Sequence, residues 1–227
     1  MKPLKGLILL VWSLALAGPA PAAGSSGAVH TERLDNGMDV VLVPNHSVPM
    51  IAANVIIRAG ARDETWDTWG AAHFLEHLLF NGTSERSQEE IRAAFDRIGA
   101  YDNAHTGSHF TDFMILVPRE HFLEGFEILL DMLFHSTLPP QKFEKERGIV
   151  IEEIARSSSH GYDADLPFRR WLFGNGPLSR QVLGTVDGIS RLKRDSVLAF
   201  YRRWYCLLYT SDAADELDGV DLGGRRI

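Results

Sequence analysis

His73 and His77 stand four residues apart with Glu76 beside them, in the run His73-Phe74-Leu75-Glu76-His77. In a helix, at about 100° per residue, the two imidazoles lie one turn apart on one face and the carboxylate projects between them and slightly to one side. Two neutral imidazoles held this way can fill two sites of a tetrahedral zinc ion, with the carboxylate next to the metal to handle a water proton. The chemistry on offer is hydrolysis by an activated water. A surface helix that merely carries two histidines is the competing reading. In a chain with nine histidines, a chance match to so short a pattern arises on the order of a few per cent.

A zinc site of this kind needs one more protein donor, commonly a carboxylate. Downstream, residues 143–156 mix charged and apolar side chains with helical period. Glu146 and Glu153 are seven apart, two turns, so both point the same way, while Glu152 points roughly 100° away from Glu153. A solvated acidic helix face is the ordinary explanation of such a run, and the combination with the histidine pair argues against it.

The run Ala72-His73-Phe74-Leu75-Glu76-His77-Leu78-Leu79-Phe80-Asn81-Gly82-Thr83, followed by Glu146-Arg147-Gly148-Ile149-Val150-Ile151-Glu152-Glu153-Ile154, resembles the pitrilysin/insulinase (M16) metallopeptidases. That family includes the processing peptidases and insulin-degrading enzymes, and carries the inverted His-x-x-Glu-His motif. The resemblance runs from about Thr31 to Tyr205. It extends to Ala59-Gly60-Ala61-Arg62-Asp63-Glu64, to Asn103-Ala104-His105-Thr106, and to Pro177-Leu178-Ser179-Arg180-Gln181-Val182-Leu183-Gly184, where Ser179 replaces a usual glycine.

The resemblance implies zinc held by His73, His77 and Glu153, the last about 76 residues beyond the second histidine. It implies Glu76 as the base, with Glu146 matching the family's accompanying helix glutamate, which would orient a ligand or the water. It places Asn103 where the family contacts substrate backbone, on an edge strand to which a peptide could add as a further strand. A simple turn residue is the other reading of Asn103. It also implies a second M16-like half, on the same chain or a partner, closing over the peptide substrate.

The elements that must position these groups can be read from periodicity and turn chemistry. Asn36-Gly37 signals a hairpin turn before a strand over 38–43, and Ile51 to Ala59 reads as a second strand, with a polar loop from Gly60 to Trp69. The motif helix is expected from about Gly70 to Phe80. Ser87 with Glu90 forms a capping box for a helix ending near Ile98. Two strands are expected over 101–106 and 109–117, then helices over 119–134, after Pro139-Pro140, and over 189–205. Strands and helices do not alternate strictly, so the expected class is α+β, a mainly antiparallel sheet packed against helices in an M16-like domain.

The two ends read differently from the middle. Lys2 and Lys5, an apolar stretch over 7–17 and the small residues Ala20-Pro21-Ala22 describe an export signal over residues 1–23. Eleven residues at 1.5 Å rise do not cross a roughly 30 Å hydrocarbon core, so no stable membrane span is expected. The expected location is periplasmic or secreted, with a truncated peptidase domain over 24–205. From Cys206 the sequence departs from the family, and residues 221–227 resemble translated adapter DNA, so 206–227 is expected to be a non-native tail. A real disordered acidic tail is the alternative. A net charge of −7 without a basic cluster argues against nucleic acid. The single cysteine, Cys206, permits no bridge within the chain.

The expected function is an exported zinc-dependent endopeptidase acting on peptides or small proteins. The rivals are a non-catalytic M16-like scaffold or partner subunit, and a periplasmic zinc-binding protein. His105 and His109 stand four apart across a glycine, and His46, His121, His135 and His160 read as solvated histidines.

Overall fold

Thr111 to Pro118 alternates in the way that decides the architecture: Thr111, Phe113, Ile115 and Val117 are buried while the residues between them are half-buried. A strand with period two and one fully buried, mostly apolar face must have something packed on that face. The computed structural model, which describes residues 28–158 and 162–205, shows that it is helices.

Five strands and seven α-helices are assigned among the described residues. β1 (His30–Arg33) and β2 (Asp39–Leu42) form an antiparallel pair, with His30 opposite Leu42 and Arg33 opposite Asp39. The connection carries Asn36-Gly37, with Gly37 at φ 82°, the left-handed conformation a tight turn requires. By its internal contacts this pair, with the residues up to Pro49, belongs to one of two compact units, and the connecting residues Asp35–Met38 are grouped with the other.

The larger unit contains β3 (Met50–Ile57), β4 (Tyr101–Thr106) and β5 (Thr111–Pro118) in the order β3-β5-β4, antiparallel throughout. Its helices are α1 (Ala71–Leu79), α2 (Gln88–Ile98), α3 (Phe122–Phe134), α4 (Pro140–Ser158), α5 (Tyr162–Phe173), α6 (Val186–Arg191) and α7 (Arg194–Trp204). Phe113 and Ile115 of β5 share one core with Phe74 and Leu78 of α1, Leu129 and Leu133 of α3, Val150 of α4 and Val197 of α7. Among the described residues no strand pairs with the outer side of β4, which makes it an edge.

Capping and polar ties follow local chemistry. At the start of α2, Ser87 Oγ accepts from the Glu90 amide at 3.2 Å and the Ser87 amide donates to Glu90 Oε2 at 2.8 Å, the expected box. Asp131 of α3, buried, accepts from Thr83 Oγ1 at 2.8 Å and Arg86 Nη1 at 2.6 Å, tying the segment after α1 to α3.

The α+β class holds, with its pairing divided between a two-stranded and a three-stranded antiparallel sheet. Three details differ from expectation. The loop over 60–69 contains two short 3-10 turns, Ala61–Asp63 and Trp66–Thr68. The single helix expected over 189–205 is broken in two at Leu192 and Lys193, whose backbones are extended. Arg147 of α4 donates to the carbonyls of Ile189 and, at 2.8 Å, Leu192 at this break, satisfying acceptors at the end of α6. Helix α5 was not foreseen, because Pro167 lies inside it and interrupts the helical pattern. The export signal over 1–23, the tail over 206–227 with Cys206, and His160 lie outside the described residues. No helix among the described residues is long and apolar enough to cross a membrane.

Candidate metal centre

Two helices deliver the groups. In α1 the apolar side chains Phe74, Leu75, Leu78 and Leu79 are fully buried, and this fixes the rotation of the helix about its axis. The face carrying His73 and His77 is then turned toward α4, and the two rings meet edge to face with centroids 4.8 Å apart. In α4 burial of Phe143, Val150 and Ile154 does the same, so Glu146 and Glu153 both reach the histidines.

Glu153 Oε2 lies 3.6 Å from His73 Nε2 and 3.4 Å from His77 Nε2. Two donors at ~2.0–2.1 Å from one tetrahedral ion stand about 3.4 Å apart. One ligand atom from each of His73, His77 and Glu153 lies within 4.8 Å of the others. The donor set therefore fits zinc in spacing as well as in type. Glu146 Oε2 lies 3.3 Å from His77 Nδ1. A hydrogen bond there directs Nε2, the other ring nitrogen, toward Glu153.

The electrostatics favour the same ion. Burial, then His77 and His105, bring His73 down to about 3, so its imidazole is neutral and its lone pair is free to bind metal. His77 is raised: burial pulls it down, but Glu146, Glu153 and Glu76 outweigh that. Burial also acts on Glu146, yet hydrogen bonds from His77 and Asn81 hold it below the usual carboxylate range. Three carboxylates gathered around two imidazoles repel one another without a cation, and a divalent ion offsets that repulsion directly.

Glu76 is one residue off the donor set. It accepts a hydrogen bond from Thr106 Oγ1, at the end of β4. Burial raises its carboxyl, while Thr106 and the nearby histidines act in the opposite direction. Thr106, the buried last residue of β4, had no role in the sequence reading, and no signal in the sequence points to its partner.

Asn103 sits on edge strand β4 and is exposed. Alternation puts its side chain on the opposite face of the strand from Thr106, so the structure does not bring that side chain to Glu76. His105 lies 3.6 Å from Asp112 Oδ1 on the neighbouring strand. Glu152 is exposed on α4. His46, His121 and His135 lie outside the cluster, with His135 Nδ1 3.1 Å from Asp131 Oδ1.

Comparison with known proteins gives the same direction. The profile of the family described as Insulinase (Peptidase family M16) matches residues 39–185. A Bacillus subtilis protein named as an uncharacterized zinc protease, YmxG, is 37% identical over 172 residues, which are 75% of this chain and 42% of that protein. The crystal structure of an M16-like peptidase from Alicyclobacillus acidocaldarius superposes with a TM-score of 0.68 at 26% identity, over 80% of this chain and 44% of that one. A domain from Pseudomonas fluorescens described as an M16 inactive domain has a TM-score of 0.71 at 16% identity, over 77% of this chain and 43% of that one. The chain spans about two fifths of the length of the curated relatives it matches.

Proposed function

The chain belongs to the insulinase family of peptidases, M16, and from that premise we propose that it is the zinc-holding domain of an exported endopeptidase. The observation that carries this reading is the convergence of His73, His77 and Glu153 beside a carboxylate, Glu76, that is not a member of the donor set. A zinc store needs the first three groups and has no use for the fourth.

When bound, zinc supplies a Lewis acid that polarises the scissile carbonyl and lowers the pKa of a water. His73, His77 and Glu153 would hold it, and Glu146 keeps the His77 ring turned toward it. Glu76 takes the proton of the attacking water and later returns it to the leaving amine. Thr106 holds one Glu76 oxygen, which keeps the other directed at the water. The outer side of β4 offers unpaired backbone groups to an extended peptide, which binds by strand addition with weak dependence on its side chains. Asn103 on that strand would contact the peptide backbone from the far face. The substrates are accordingly peptides or small proteins in extended form.

Residues 1–23 would direct export to the periplasm or medium, and 24–205 would form the peptidase domain, with 206–227 foreign to it. A second M16-like half would close over the peptide. A non-catalytic partner subunit is the second reading, favoured by the existence of an inactive domain with this fold. The retained Glu76 weighs against it.

Metal removal tests the proposal. Dialysis against a chelator should abolish peptide hydrolysis by the protein joined with its second half, and one equivalent of zinc should restore it. Hydrolysis that persists after the metal is gone excludes a zinc peptidase. The present chain without a second half should hydrolyse peptides slowly at best. Positioning of reactants contributes up to ~7–11 kcal/mol to barrier lowering, and an open half-site forfeits much of it. Turnover by residues 24–205 alone equal to that of the two halves together would refute the two-half arrangement.

A further inference from the structure

Two sequence segments singled out above, Ala59 to Glu64 and Pro177 to Gly184, take no part in the chemistry. They meet at the start of α1. That helix begins at Gly70, which has no side chain to cap it and stands at φ 92°. The first amides of a helix have no partner within it, and a buried helix start without partners is unfavourable. Here the partner comes from outside. Glu64 Oε2 accepts from the Gly70 amide at 2.9 Å and Glu64 Oε1 from the Ala72 amide at 2.8 Å.

Both oxygens are used, so the carboxylate fixes the direction of the helix start as well as its position. Burial pushes the Glu64 carboxyl up to about 8, against the opposing pull of the Gly70 and Ala72 amides and Arg180. Its ionised form would lie at the favourable end of the helix dipole. Glu64 is 4% exposed, and it is in turn held. Arg180, 5% exposed, donates through Nη2 to the Glu64 carbonyl at 2.6 Å, with the Arg62 carbonyl at 3.4 Å. Its guanidinium lies 5.5 Å over the Trp66 ring. Trp69 Nε1 donates to the Gln181 carbonyl at 2.8 Å. A Cβ on Gly184 would come within 2.9 Å of Gly70 Cα, so only glycine lets the two backbones pass.

His73 follows Ala72 directly. We propose that Glu64, locked by Arg180, is a positioning residue that sets the start of α1 so that the His73 and His77 nitrogens converge with Glu153. The inference rests on the zinc reading given above. A metal site tolerates displacements of only about 0.5 Å and 10–20° in its donors, and groups that orient ligands from behind are worth about 10–100-fold in metal affinity.

Glu64→Gln is the discriminating variant. It keeps volume, but its amide nitrogen must face one of two backbone N–H groups, donor against donor. The full chain should bind zinc 10–100-fold more weakly in chelator competition. Hydrogen exchange of the metal-free chain should accelerate at the amides of Gly70 and Ala72. Asp131→Asn serves as control, since it removes a buried carboxylate whose partners are Thr83, Arg86 and His135 rather than the first amides of α1. It should change melting temperature while leaving zinc affinity within twofold.

Zinc affinity in Glu64→Gln equal to that of the unaltered chain overturns the proposal, and so does an equal loss in the Asp131→Asn control. If Glu64→Gln does not fold, Arg180→Lys decides the matter, with an expected three- to tenfold loss. Unchanged affinity there is equally fatal. If the unaltered chain takes up no zinc, the zinc reading fails. The exchange data then still judge whether Glu64 anchors the helix start, and unchanged protection at Gly70 and Ala72 refutes that.

Discussion

Glu76→Gln is expected to retain zinc and to lose ~10²–10⁴ in peptide hydrolysis, the usual magnitude for removing a general base. The substitution keeps the shape of the side chain and can keep the hydrogen bond from Thr106 Oγ1, because the amide oxygen still accepts. It cannot accept a proton from water. His73, His77 and Glu153 are untouched, so the metal content of the purified variant, measured by atomic emission, should equal that of the parent. The two rival readings give different results. A zinc-storage protein has no activity to lose, and a scaffold subunit loses none when Glu76 changes. Undiminished hydrolysis in the variant would remove Glu76 from the mechanism while leaving the zinc site standing. Loss of both zinc and activity would instead mean that Glu76 supports the metal.

What the sequence revealed was whatever depends on local spacing. A pair at i and i+4 must share a helix face, and a pair at i and i+7 nearly does, so each helix's own pair could be placed on one face. The meeting of the α1 and α4 faces was anticipated only through the resemblance to the M16 family. The capping box at Ser87 and the turn at Asn36-Gly37 are equally local. The parts that escaped depend on contacts between distant segments. Glu64 and Arg180 are 116 residues apart, and nothing in either segment announces the other. The break between α6 and α7 is bridged by Arg147, 42 residues before Ile189. Helix α5 escaped for another reason, a local one: Pro167 lies inside it and interrupts the helical pattern. The link between Thr106 and Glu76 required knowing that the end of β4 lies against α1.

Glu153→Ala should lose zinc and Glu152→Ala should not, although the two residues are neighbours on α4. Among the described residues only Glu153 has an oxygen within 3.6 Å of both histidine Nε2 atoms, while Glu152 is exposed on another side of the helix. Removing one of three protein donors should weaken zinc by more than the ~10–100-fold typical of an outer supporting group. The fold itself should not suffer. The Glu153 side chain is 35% exposed, and surface substitutions usually shift stability by no more than about 0.5 kcal/mol. In the metal-free chain the change relieves the repulsion between Glu76 and Glu153 and gives up the attraction of Glu153 for His77. Its melting temperature should therefore hold or rise slightly in chelator while the stabilisation by added zinc disappears. In Glu152→Ala the zinc-dependent rise in melting temperature should be intact. If Glu152→Ala empties the site and Glu153→Ala does not, the register of α4 against α1 is wrong by one residue.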